Sequence, residues 1–228
     1  MARPRQGYST ADGRPVPGVT TILGLLGKPA LVGWAGKTCT AAAWQLGRDG
    51  APLPKWGDIL YPSRDDAAAA GTLVHELFEA HLRHQPLPPI PDSAIGAAAR
   101  QGYDNAVHWL ETSSLGVEPY EKPLVSEMCR FGGTPDALMI HGDAFYLGDW
   151  KTGGLYAEHV IQMAAYRQLL SEVEGVEVQG CHLVRFNREH GDFHHAYFAL
   201  EALDQGWEVF RRLLEIKPLL DALEKRVK

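Results

Sequence analysis

Cysteine is scarce: three in 228 residues, scattered at positions 39, 129 and 181. That excludes a small fold stapled by a dense disulfide framework and points to a reduced, intracellular protein. Long apolar runs are missing too. No stretch approaches the roughly 20 apolar residues of a membrane-spanning helix. The opening "MARPRQGYST" lacks the apolar run of a signal peptide, so no membrane partner is expected. Positive charge is not in excess either, with 22 Lys and Arg against 28 Asp and Glu for a formal charge of −6. A protein that coats nucleic acid nonspecifically is thereby excluded, because counterion release needs a basic surface. An acidic exterior still leaves room for a locally basic lining. Internal repeats are absent, and low complexity is confined to alanine runs.

Two motifs begin and are not completed. "HELFE" starts like the zinc-protease HExxH, yet Glu79 stands where the second histidine would be. "GLLGKP" starts like the end of a phosphate-binding loop, but Ile22 replaces the first glycine and Pro29 follows Lys28 in place of Ser or Thr. Any ATP-driven helicase or motor working with this protein would therefore be a separate chain.

What is present is ordinary for a globular protein: 45% hydrophobic and 22% charged residues, at a length that one domain with a sizeable core can use. The pattern predicts an extended arm over residues 1–29, a helix over 29–47, and a proline-rich break at "GAPLPKWGDILYPS". A second helix with Ser63 as N-cap and a third from about Ala94 to Leu110 follow. An α/β region comes next. Its strands fall near Lys122–Arg130, Asp136–His141, Ala144–Lys151, Val178–Phe186 and Phe193–Ala199, with a helix near Glu158–Glu172. A closing helix from about Leu203 to Lys225 is expected to bury Phe210, Leu213, Leu214, Leu220 and Leu223.

Chemistry enters at "GGTPDALMIHGDAFYLGDWKTGG". Gly142-Asp143 is a two-residue turn of the kind that hairpins favour. With those two residues at its centre, Ile140 faces Phe145, Leu138 faces Leu147 and Asp136 faces Asp149. Alternation puts Lys151 on the face of Asp149. Two carboxylates opposed at the end of an apolar face repel, and partial burial raises the cost of ionising both. A divalent cation would relieve them, since Mg²⁺ takes one or two carboxylates plus waters and phosphate oxygens. The plainer reading is a hairpin end with two solvated aspartates and a lysine ion pair.

The ordered set "GTPDAL", "DWKTG" and "EHVIQMAAYRQLL" resembles the PD-(D/E)XK nuclease superfamily, closest to its RecB-type and phage-exonuclease branch. Asp-X-Lys alone is nearly worthless as a signal; the ordered set is what carries the likeness. "GTLVHELFEAHL" and "VPGVTTILGLLGKPALVGWA" extend it over most of the chain. The resemblance implies a restriction-endonuclease-like α/β core, a central mixed β-sheet flanked by helices with an N-terminal helical extension. It implies one nuclease domain over 1–228, with arm and helices in 1–115 and catalytic core in 120–228. The implied activity is metal-dependent hydrolysis of DNA phosphodiester bonds, as an exonuclease of recombination, repair or phage DNA processing. The cofactor would be Mg²⁺ or Mn²⁺, and the setting the cytoplasm of a bacterial or phage-infected cell. Alternatives are a structure-specific endonuclease or a noncatalytic DNA-binding module that retains the fold. Three cysteines cannot reproduce the four-cysteine iron–sulfur cluster of some relatives, so no iron–sulfur cluster is expected.

On that resemblance the catalytic set is Asp136, Asp149, Lys151, Gln162 and Tyr166. The metal ligands are His75, Asp136, Asp149 and the backbone carbonyl of Trp150, with Glu127 in support. Gln162 and Tyr166 lie one helical turn apart and share a face; a buried Tyr beside an exposed Gln is the bland alternative. His75 sits among apolar residues, where a purely structural role competes with ligation. Arg130, Arg167, Arg185 and Arg188 are candidates for a DNA-binding lining, each weighed against a solvated surface arginine. Expected partners are DNA and a separate recombination or helicase protein.

Overall fold

A computed structural model describes residues 7–27, 29–120 and 122–227. The first six residues of the predicted arm lie outside these. Fifteen helices and strands order the rest. The hairpin strands β1 (Tyr8–Ser9) and β2 (Pro15–Val16) come first, followed by the short helix α1 (Val19–Leu23) and a 3₁₀ turn, Gly24–Leu26. Helices α2 (Pro29–Arg48), α3 (Trp56–Leu82) and α4 (Ala94–Thr112) follow, and then β3 (Gly116–Pro119), β4 (Leu124–Ser126), β5 (Phe131–Gly133), β6 (Ala137–His141) and β7 (Ala144–Lys151). The chain closes with α5 (Ala157–Glu174), β8 (Val178–Phe186), β9 (Phe193–Ala199) and α6 (Leu200–Val227).

The expected architecture is the one adopted: a five-stranded mixed sheet in the order β3-β6-β7-β8-β9, flanked by helices. Its β7–β8 pair is parallel and the other neighbours are antiparallel. The parallel pair needs a crossover, and α5 supplies it. Alternation along the strands splits the core in two. Leu138, Leu147, Cys181 and Leu183 face α5, α6 and α1. Ala137, Met139, Trp150, Val184 and Phe186 face α3 and α4. The helix ends carry their own stops: the Ser93 hydroxyl accepts from Gly96 N–H at the start of α4, and Gly175 at φ 66° ends α5 in the left-handed conformation.

Several elements differ from the pattern. Helix α3 begins at Trp56, so Ser63 is not its N-cap; Pro62 lies inside the helix and the Ser63 hydroxyl donates back to Ile59 O at 3.0 Å. One missing N–H costs a single backbone bond, which the packed C-terminal half of the helix outweighs. The Lys122–Arg130 strand is only Leu124–Ser126, and it pairs with β5 in a separate two-stranded sheet. Arg130, at φ 59°, turns the chain between them. The main sheet instead gains β3 as an edge. The arm is a structured hairpin and helix, with Val19, Ile22 and Leu23 in the core. On α6, Phe210 and Leu213 are buried, whereas Leu220 and Leu223 are exposed because the helix runs past the core. No single helix among the described residues is long and apolar enough to cross a membrane.

Candidate active site

The β6–β7 hairpin has the register read from its turn, with Ile140 opposite Phe145, Leu138 opposite Leu147 and Ala137 opposite Gly148. Gly142 takes φ 60°, the left-handed value such a turn requires. Asp136 stands one residue before β6, and Tyr120 N–H donates to its carbonyl at 3.0 Å, prolonging the β3–β6 ladder. Carried one residue beyond Ala137–Gly148, the β6–β7 register sets Asp136 across from Asp149. Neither carboxylate is solvated: Asp136 is 7% exposed and Asp149 fully buried. The solvated-hairpin reading is thereby set aside.

The two glycines before Asp136 have a packing reason. A Cβ on Gly132 would stand 2.4 Å from the Tyr8 ring, and one on Gly133 would stand 2.6 Å from the Tyr166 ring. Tyr8 and Tyr166 therefore close on the turn through the two glycines, and the Tyr8 hydroxyl shares a 3.0 Å hydrogen bond with that of Thr134. Helix α5 adds the rest of the polar network. Lys151 Nζ lies 2.5 Å from Asp149 Oδ2 and donates to Gln162 Oε1 at 3.4 Å, while Gln162 Nε2 donates to the Tyr166 hydroxyl at 3.0 Å. The one-turn spacing of Gln162 and Tyr166 is what lines these groups up. Tyr166 is buried, yet Gln162 joins it in the network, so the bland alternative fails on the glutamine.

Among the described residues, three buried carboxylate oxygens have no hydrogen-bond donor: Asp136 Oδ2 and both oxygens of Asp149. Lys151 approaches Asp149 Oδ2 as an ion pair, but off the line that a hydrogen bond needs. Burial raises the pKa of both aspartates, with Lys151 opposing the shift. Their mutual repulsion adds to the rise at Asp149. A desolvated acid pair with orphaned oxygens is poorly served by one lysine.

His75 reaches the pair from α3, with Nδ1 3.9 Å from Asp136 Oδ2. Burial, and then Lys151, holds its pKa down at about 4, so the ring is neutral near pH 7 and a nitrogen lone pair is available. The helix comes in closely because Gly71 faces the Thr152 side chain, where a Cβ would lie 2.8 Å from Oγ1. Among the described residues no three His, Cys, Asp or Glu form a finished metal cage. The set is open: two hard carboxylates and one neutral imidazole nearby. Such a donor set fits Mg²⁺ or Mn²⁺, whose remaining positions go to water and phosphate oxygen.

The other expected site residues lie elsewhere. Glu127 is exposed, and its Oε1 accepts from Ala11 N–H at 2.7 Å, tying the N-terminal hairpin to the β4–β5 turn. Arg167 pairs with Asp204 of α6 at 2.6 Å, and Arg185 lies 3.6 Å from Asp192. Arg188 donates to the carbonyls of Thr152 and Ala67, clamping α3 to the end of β7. None of the four arginines lines the cleft beside Lys151. The Trp150 side chain belongs to the opposite core, and its backbone runs between Asp149 and Lys151 in register with Val184.

That cleft, about 280 Å³, opens between the N-terminal hairpin, α1 and α5. Lys151, Gln162 and Tyr166 form its floor, and Tyr8, Thr20 and Thr134 form its polar walls. The sequence reading missed these last three. Their only signal is the glycine pair, which announces a close approach without saying by what.

No protein-family model matches the chain, and no curated protein matches it. Among solved structures it is similar to an alkaline exonuclease, LHK-Exo from Laribacter hongkongensis, with a TM-score of 0.33 and 17% identity over 69% of this chain and 86% of that one. It is similar also to LHK-Exo in complex with dAMP, with a TM-score of 0.34 and 17% identity over the same shares.

Proposed function

We propose that this protein is a divalent-metal-dependent deoxyribonuclease of the PD-(D/E)XK type, acting as an exonuclease on linear DNA. The observation that carries the proposal is the buried Asp136–Asp149 pair with three orphaned oxygens and Lys151 beside it. Asp136, Asp149, His75 and the Trp150 carbonyl are the groups that would hold Mg²⁺ or Mn²⁺. The bound cation supplies Lewis acidity toward the scissile phosphate and toward a water.

The chain's own groups do the rest. In this reading Lys151 Nζ, steadied by Gln162 Oε1, orients the attacking water and donates to the phosphoryl oxygen as charge develops on it. Gln162 keeps its amide oxygen toward Lys151 because its nitrogen is committed to Tyr166. Tyr166 stays protonated, its pKa raised first by burial and then by Asp136, so its hydroxyl serves as a fixed hydrogen-bonding anchor. The exonuclease assignment and a place in recombination, repair or phage DNA processing follow the motif resemblance, with DNA as the partner.

The test is to incubate the pure protein with Mn²⁺ and with linear or covalently closed circular DNA. Linear DNA should be degraded from its ends and the closed circle left intact. Cutting of the closed circle would reassign the activity to an endonuclease. Inertness toward every DNA with both metals would leave a noncatalytic binding module.

A further inference from the structure

The sheet's opposite face holds a second polar cluster. Beyond the C-terminus of α4 the sheet face is uncovered, and a cleft of about 550 Å³ lies there. Its lining includes His141, Tyr146, His182, His195 and Tyr197, from four neighbouring strands. His182 pairs with Gly148, one residue from Asp149, but its side chain alternates with Cys181 and Leu183 and so leaves by the face opposite theirs. The proposed nuclease site uses none of these rings.

A directed hydrogen-bond chain runs into the cleft. Trp109 Nε1, which can only donate, lies 3.3 Å from His195 Nδ1, and His195 Nε2 lies 2.8 Å from His182 Nδ1. The first bond makes His195 Nδ1 an acceptor, so a neutral His195 carries its proton on Nε2 and donates to His182. His182 then carries its own proton on Nε2. That N–H has no partner among the described residues, and its ring is nine-tenths buried at the cleft floor. Ligation of a metal by His195 Nε2 would turn Nδ1 into a donor facing the indole N–H, so the relay works against a metal site. No Asp, Glu, Lys or Arg lines the cleft, and burial holds His182 at a pKa of about 4, so the floor is uncharged near pH 7.

What remains is a neutral donor between aromatic walls. The His182 ring centroid lies 5.2 Å from that of Tyr146 and 5.1 Å from that of Tyr197. Tyr197 is 52% exposed on the edge strand; its hydroxyl donates to Gln179 O, and its ring packs edge-on at 6.1 Å from that of Tyr146 while keeping one side open to solvent. Rings across an open sheet face are how sheets hold unpaired bases, since every base has a flat π-face. We propose that this cleft binds an unpaired base of single-stranded DNA, with the base against Tyr146 and Tyr197 and an edge acceptor atom on His182 Nε2–H. A free mononucleotide would find no Lys or Arg for its phosphate here. A base delivered on a strand held elsewhere gains from effective concentration.

The choice of DNA as the ligand rests on the nuclease reading, but its binding is tested without a catalytic metal, so the two can fail separately. Full-length protein with ¹⁵N-labelled histidine is titrated, in chelator, with a short oligodeoxyadenylate, an abasic strand of equal length, inorganic phosphate, or, in chelator-free buffer, Zn²⁺ alone. The oligodeoxyadenylate should shift the His182 imidazole signals, and the abasic strand and phosphate should not. His182→Phe, which keeps a ring and removes the donor, should weaken binding about tenfold. Tyr197→Leu, on the exposed edge and outside the buried relay, should weaken it by a similar factor and decides the matter if His182→Phe fails to fold. Silence of the oligodeoxyadenylate, an equal response to the abasic strand, a response to Zn²⁺ alone, or unchanged binding in a folded variant each overturns the inference.

Discussion

His75 and His182 are both held at a pKa of about 4, chiefly by burial, at the ends of two separate polar networks. Their surroundings differ in kind. Around His75 the hydrogen bonding is incomplete, with three carboxylate oxygens lacking donors and one lysine serving two acids. Around His182 the relay from Trp109 through His195 fills each ring acceptor and leaves one N–H, on His182 Nε2, without a partner among the described residues. An unsatisfied anionic cluster is costly alone and calls for positive charge. A satisfied neutral relay is stable alone and offers direction. Depressed histidine pKa values do not tell the two apart; the accounting of donors and acceptors does.

The largest test of the contrast removes the cation at the incomplete end. Lys151→Ala should lower DNA cleavage with Mn²⁺ by about a thousandfold or more, while DNA binding and circular dichroism stay close to wild type. Cleavage within tenfold of wild type would take Lys151 out of the chemistry. The same substitution should not move the His182 signals, because the two clusters share no hydrogen bond.

The second tests whether the orphaned oxygens are a metal site. Mn²⁺ at a hundred times its Kd should stabilise the wild type by about 2.7 kcal/mol. For a chain of this size that is a rise in Tm of roughly 5–10 °C. Asp136→Asn should show a much smaller rise, and equal shifts would deny that Asp136 is a ligand. His182→Phe should shift as the wild type does, which separates the two ends by calorimetry alone.

Much of the incomplete end was legible. The Gly142-Asp143 turn sets the register, and the register sets Asp136 against Asp149. The one-turn spacing of Gln162 and Tyr166 brings both to Lys151. What was not legible came from non-local contacts. Gly116–Pro119 has little apolar content and ends in proline, and it is a strand because β6 pairs with it. Tyr8 and Thr134 meet across more than a hundred residues. The stripe at Leu220 and Leu223 has core periodicity, but periodicity does not say where the core stops. The relay at His182 joins three elements and has no sequence spacing at all.

Arg188 shows how a charge can mislead. A sequence offers it to DNA, whereas its guanidinium is spent on the carbonyls of Ala67 and Thr152. Arg188→Ala should therefore cost about 1–3 kcal/mol of stability in urea, as two half-buried carbonyls lose a donor. The salt dependence of DNA binding should keep its slope, where loss of a phosphate contact would lower it by about one. A changed slope with unchanged stability would return Arg188 to the DNA interface.

The smallest effect is in pH. His182 has a folded pKa of about 4 against an ordinary value of 6.5, so the unfolded chain binds the proton more readily. Its contribution to stability is complete above pH 6.5 and is lost as pH falls toward 4. His75 acts with the same sign at the other end. Asp136 and Asp149 act oppositely, since their raised values mean that the folded protein takes up protons more readily and gains stability as pH falls through them. In chelator, the acid limb of the wild type is the difference between these contributions. His182→Phe deletes one histidine and leaves the acid pair intact, so its stability should fall less steeply between pH 6.5 and 4, by at most about 1.4 kcal/mol per pH unit. Urea melts at intervals across that range measure it. Parallel limbs for the two proteins would mean that His182 already titrates normally in the folded state, and the neutral, donor-directed relay at this end would no longer stand against the charged cluster at the other.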